Sequence, residues 1–194
     1  MAKIAAMLTV SLSTTAVCAH KAADAMFGVR WGMTAKQVSS HHRVTCHSRD
    51  SCIAYESVGG LRTAISFEFF RGRLAALNLQ PDIPDRLLKG TPAENEEMRK
   101  TFETAWSKNI SELLNSRYGD ATTTPPSERT GIDERFPYAR HWRKPDTDIT
   151  FIPATEDDPA NAILLYEQIS TRKARWDASA TEKERRKREE ANRF

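Results

Sequence analysis

The apolar residues of this chain recur at two periods, and each period predicts an element. Ile65, Phe67 and Phe69 alternate with Ala64, Ser66 and Glu68, the two-residue period of a strand with one buried face. Gly59-Gly60 turns the chain into it. Arg71-Gly72 ends it, with a glycine suited to a positive-φ turn. Leu74 to Leu79 then returns, with Ala75, Leu77 and Leu79 on one face. Met98, Phe102, Trp106, Ile110 and Leu113/Leu114 follow the other period, three and four residues, the stripe of a helix lying on a sheet. Thr91 caps that helix, Pro92 takes its first position, Glu94 completes a capping box and Gly119 closes it after Tyr118. A short helix between Phe27 and His42 carries the same device, Thr34 with Gln37, and a hydrophobic staple of Met33 and Val38.

Asp120 to Glu134 reads as a polar loop with Pro125-Pro126. Three strands follow, Tyr138 to Arg143, Ile149 to Ile152 and Ala162 to Gln168, separated by turns at Pro145–Asp148 and Glu156–Pro159. Connections this short make neighbours antiparallel. The pattern of helix then meander occurs twice, over about residues 27–80 and 91–170. Neither unit can bury a sheet face alone, but side by side they can build one sheet. The expected fold is therefore α+β: a single domain over residues 20–169, its antiparallel sheet built from two helix-plus-meander units with helices on one face. A charged C-terminal helix or tail over 170–194 follows it.

The first nineteen residues stand apart. Lys3, the apolar run Ile4 to Leu12 and the small-x-small Val17-Cys18-Ala19 read as a secretory signal peptide cut after Ala19; Ala23-Asp24-Ala25 offers a second cut. They predict an exported protein, periplasmic or secreted. Cys18 can also be read as a lipid carrier, but Val17 and Thr15 stand where that route wants a small residue and a leucine. No later apolar run reaches the length of a membrane span. The formal charge of +3 falls to about +2 without Lys3, too little to argue for nucleic acid.

Two cysteines remain after cleavage, Cys46 and Cys52, and an oxidising compartment favours a disulfide between them. The polar segment 47–51 is turn-like and its flanks, Arg43-Val44-Thr45 and Ile53-Ala54-Tyr55, are strand-like, so the bond is expected to clip a hairpin. The same neighbourhood holds the densest set of metal-type ligands, His41, His42, Cys46, His47 and Cys52. Reduced, these would suit zinc or copper; oxidised, the pair has no thiolates to give. No cofactor is otherwise implied.

His141 and Trp142 sit on a strand, where a histidine is a half-buried sheet residue more often than a base. Asn109-Ile110-Ser111 matches a glycosylation sequon inside a helix. Gly59-Gly60 precedes no helix and so makes no phosphate cradle. No catalytic residues emerge. From Ser170 onward there are nine Lys/Arg against five Asp/Glu, with little apolar surface past Trp176. Arg185, Arg186, Lys187 and Arg188 are the binding candidates, as an anionic-surface dock for lipid headgroups or an acidic partner. The competing reading is a solvated, fraying helix.

The stretch Gly32-Met33-Thr34-Ala35-Lys36-Gln37-Val38 resembles the GMT-x-x-x-V opening of the small lipoproteins of the outer-membrane β-barrel assembly machinery. Ile65-x-Phe67 and Arg71-Gly72-Arg73-Leu74 are similar, with an offset, to the aromatic strand and hairpin that follow in that family. The tandem form resembles the β-lactamase-inhibitor-protein type of fold. The likeness covers about residues 27–80 and departs in its lipobox, which puts anchoring in doubt. It implies a periplasmic binding or assembly module rather than an enzyme. The expected function is a non-catalytic binding or envelope-interaction module whose partner is an envelope protein. An exported metal-handling protein is the alternative.

Overall fold

The computed structural model describes residues 26–123, 135–155 and 162–191. The signal-peptide reading, most of the polar loop before Glu134 and the turn at Glu156–Pro159 lie outside the described residues. The helices are α1 (Ala35–Val38), α2 (Pro92–Tyr118) and α3 (Ile169–Ala191). The strands are β1 (Thr45–Cys46), β2 (Ser51–Val58), β3 (Leu61–Phe70), β4 (Arg73–Pro81), β5 (Arg140–Lys144), β6 (Thr147–Ile152) and β7 (Ile163–Gln168). They form one seven-stranded antiparallel sheet in the order β1-β2-β3-β4-β7-β6-β5. The fold is α+β, as the periods predict. The last strands of the two meanders, β4 and β7, meet as antiparallel neighbours at the seam.

Local chemistry explains the elements. Both expected capping boxes are formed: Thr34 with Gln37 at α1, Thr91 with Glu94 at α2. The backbone N–H of Thr91 donates to Glu94, which lowers that carboxyl below its ordinary range. The turn between β3 and β4 has positive φ at both central residues, Arg71 (53°) and Gly72 (73°), the mirror-type turn whose twist suits a hairpin. Gly59 has φ 60°, and a Cβ there would lie 3.0 Å from the Cβ of Asn109. That contact is where α2 is pinned, since the Asn109 side-chain amide donates to the Gly59 carbonyl at 2.6 Å. The sequon asparagine thus ties helix to hairpin.

The core lies on one face of the sheet. The register places Cys46, Cys52, Phe67, Leu77, Tyr166, Ile149 and Trp142 in one row across all seven strands. Every member but Cys46 is buried. A bulge opposite Glu68 and Phe69 brings Leu74 into register with Phe69, so Leu74 joins Leu77 and Leu79 in the core cluster. Alternation alone had placed Ala75 there; the extra residue of the bulge changes which side chain faces in. Burial and desolvation raise the Tyr166 hydroxyl well above its ordinary pKa.

Val38 of α1 and Trp106, Ile110 and Leu114 of α2 cover this inner face. The expected stripe of α2 is corrected at its start. Met98 is 41 % exposed and Phe102 is half-buried, whereas Glu103 and Ser107 are buried. The reason is helical geometry: a ladder of four-residue steps rotates by about 40° per step, so a ladder centred on Ile110 has turned away from the sheet at Met98. Ser107 fills the vacated row, its hydroxyl accepting from the Ala154 N–H at 2.8 Å.

Candidate functional site

The outer face of the sheet alternates with the core face and has a different chemistry. Its central row is Ile53, Ser66, Asn78, Leu165, Thr150 and His141, on β2, β3, β4, β7, β6 and β5. Below it lie Tyr55, Ala64 and Gln80 on one side of the seam and Ile163 with Ile152 on the other. Neither row contains Lys, Arg, Asp or Glu. Thr150 and Ile152 are buried, but the others are half-buried or exposed, Tyr55 to 53 %. At the foot of this face Arg62 pairs with Asp82, and its guanidinium sits 5.0 Å over the Tyr55 ring. They border an open cleft of about 380 Å³ that also takes in Pro84 and Arg86. No signal in the sequence marked these residues as a surface, because alternation shows that one face is wetter without showing whether anything covers it.

The row above is charged. Glu68, Ala76, Glu167 and Asp148 follow one another across β3, β4, β7 and β6. α3 lies on these residues. Arg172 pairs with Asp148 and, at 3.5 Å, with Glu167. One turn on, Arg175 reaches Glu167 at 3.3 Å and Glu68 at 2.8 Å. The helix therefore steps across the strands rather than running along them. Its start is capped from the β5–β6 turn, 24 residues away: Asp146 accepts from the Ser170 N–H at 3.0 Å and from the Ser170 hydroxyl at 3.2 Å. Its carboxylate offsets the positive end of the helix.

This corrects the reading of the tail as a wholly solvated helix. Its first two turns are fastened to the body, because the arginines there find carboxylates that alternation has placed on the outer face. Past Trp176 the expectation of a solvated helix fits, since α3 has no buried residue. The binding candidates lie here, and three of the four are paired within the helix. Arg185 donates to Glu182 and Glu189, Arg186 to Glu182, and Lys187 to Glu184. The two arginines hold the Glu182 carboxyl down at about 2, and the carboxylates push the Arg185 guanidinium higher still. Between Asp177 and Ala191 the helix carries five Lys/Arg and five Asp/Glu. Arg188 shares this stretch, in which acidic and basic side chains balance in number.

The Cys46–Cys52 disulfide is formed. The two residues are direct cross-strand partners with Cα atoms 3.9 Å apart, the close approach of a pair without mutual backbone hydrogen bonds. The strand before it is shorter than expected, two residues rather than the run from Arg43, because His42 turns inward. Its Nδ1 lies 2.5 Å from Glu56 Oε1 and its Nε2 2.9 Å from the Phe27 carbonyl, with the ring 5.3 Å from that of Phe67. This overturns the metal alternative built on His41, His42, Cys46, His47 and Cys52. The sulfurs are bonded to each other, both His42 nitrogens are committed to acceptors, and His41 and His47 are exposed. Among the described residues no three His, Cys, Asp or Glu side chains converge as a metal-holding group. No described helix is long and apolar enough to cross a membrane.

His141 is half-buried on β5, its Nδ1 3.3 Å from the Thr150 hydroxyl. The outer face can therefore offer hydrogen bonds and apolar contact over several strands. Compared with family models, with curated proteins and with solved structures, the chain finds no match.

Proposed function

We propose that the protein is an exported, non-catalytic binding module of the cell envelope that docks a protein partner on the outer face of its sheet. The observation that carries this reading is the pair of uncharged, half-exposed rows from Ile53 and Tyr55 to Leu165 and Ile163. A sheet face without charge desolvates cheaply, which is what the centre of a protein interface requires. Tyr55 supplies an exposed aromatic of the kind that anchors such interfaces. The pattern of residues 1–19 and the Cys46–Cys52 bond support export to an oxidising compartment. The resemblance of Gly32 to Val38 to envelope assembly lipoproteins points the same way. The paired charges of α3 argue against lipid headgroups as the primary target.

The test is site-specific photo-crosslinking in intact cells. A crosslinker at Leu165 or Ser66 is expected to trap one discrete envelope protein, and one at exposed Lys36 on the other side of the sheet is expected to trap none. Equal, diffuse labelling from all three positions would remove the outer face as the docking surface. Fractionation that finds the protein in the cytoplasm would remove the export reading.

A further inference from the structure

We propose that α3 is an electrostatically fastened strap, whose first two turns close over the upper row of the outer face and open as a unit while the sheet stays folded. The argument begins with what holds it. The helix buries none of its residues. Trp176, its one large apolar side chain past the first turn, is 62 % exposed and carries the Arg172 guanidinium 6.0 Å above its ring. Past half-buried Ile169 the fastening is polar: Arg172 on Asp148 and Glu167, Arg175 on Glu167 and Glu68, and the Asp146 cap on Ser170. Arg175 also donates to the Ala75 carbonyl at 3.5 Å.

An element attached with so little apolar burial shares little cooperativity with a core made of Phe67, Leu77 and Tyr166, and such elements open sub-globally. The far end needs no body to stay helical in the open state. Glu182, Arg185, Arg186 and Glu189 form a ladder of three- and four-residue pairs along it. Opening has a defined consequence. Ala76, 4 % exposed in the upper row, would be uncovered together with the three carboxylates. That row adjoins the uncharged rows, so the strap sets how much of the outer face is presented. This last step rests on the docking reading proposed above; the opening does not.

Hydrogen exchange on the full chain tests it. Amides at the root, from Arg175 to Ala178, are expected to exchange about 100-fold faster than those of Leu77, Leu79, Leu164 and Tyr166. Raising salt from low to about 0.5 M should speed the root several-fold and leave the strands unchanged, because ion pairs are screened and apolar packing is not. In Arg175→Ala the root should exchange at least about tenfold faster again, and in Arg185→Ala it should not change. Root amides that exchange at the rate of the strand core, or that ignore both salt and Arg175→Ala, would overturn the proposal. The wild-type comparison decides the matter even if Arg175→Ala fails to fold. A failed cross-link at Leu165 would sink the docking reading without touching the exchange result, so the two fail separately.

Discussion

The indole N–H of Trp106 donates to the Thr63 hydroxyl at 2.9 Å, and that hydroxyl donates in turn to the Leu61 carbonyl at 3.1 Å. Both side chains are fully buried, so α2 is tied to β3 where water cannot substitute. Thr63→Val keeps the shape and orphans the indole. It is expected to cost about 1–3 kcal/mol, read by urea denaturation. A variant as stable as wild type would mean that the contact is spatial coincidence.

The rotation of the α2 stripe predicts a gradient along one helix. Ile110→Ala, at a fully buried position, should cost about 2–5 kcal/mol. Met98→Ala, at an exposed one, should stay within about 0.5 kcal/mol. Phe102→Ala should fall between them. Equal losses at Met98 and Ile110 in thermal or urea melts would contradict the observed orientation.

The Cys46–Cys52 loop is short, so the disulfide should contribute about 2 kcal/mol by the chain-entropy argument. Cys46→Ser is expected to lower the urea midpoint without changing the slope. Neither Cys46 nor Cys52 should react with a thiol reagent in protein isolated without reductant. Modification of either by mass spectrometry would refute the bond.

Tyr166 makes stability depend on alkaline pH. Burial holds its folded pKa above the unfolded value of about 10. Its contribution is therefore complete below about pH 10 and is lost as pH rises through the folded value. Absorbance titration should show one tyrosine ionising only together with unfolding, and Tyr166→Phe should abolish that late step. A late step that persists in the variant would assign it elsewhere.

At acid pH the exposed α3 ladder behaves in the opposite sense. The Glu182 carboxyl, held at about 2 by Arg185 and Arg186, is lowered. The support it gives is present above its unfolded value of about 4.3 and disappears as pH falls through about 2. A carboxyl NMR titration should place Glu182 well below the ordinary carboxylate range. Arg185→Ala with Arg186→Ala should return it to the ordinary range, and a Glu182 resonance indifferent to both changes would disprove the ladder.

What the sequence determined by itself was local. Capping boxes at Thr34 and Thr91, the Arg71-Gly72 turn, the alternation through Phe67 and the six-residue reach from Cys46 to Cys52 all rest on rules acting over a few residues. Each is present in the structure. The tertiary structure decided whatever depends on neighbours far along the chain. One such decision is the β4–β7 seam, which sets Leu77 beside Tyr166. Another is the turn of α2 that trades Met98 for Ser107. The inward swing of His42 to Glu56 removed the metal reading. The fastening of Arg172 and Arg175 divided the tail into a closed root and a free end. Both halves of the tail carry basic side chains, and only the far half carries acidic ones of its own. The root finds its carboxylates in Glu68, Asp148 and Glu167, brought into one row by strand register, because an ion pair depends on distance in space and not on separation in sequence.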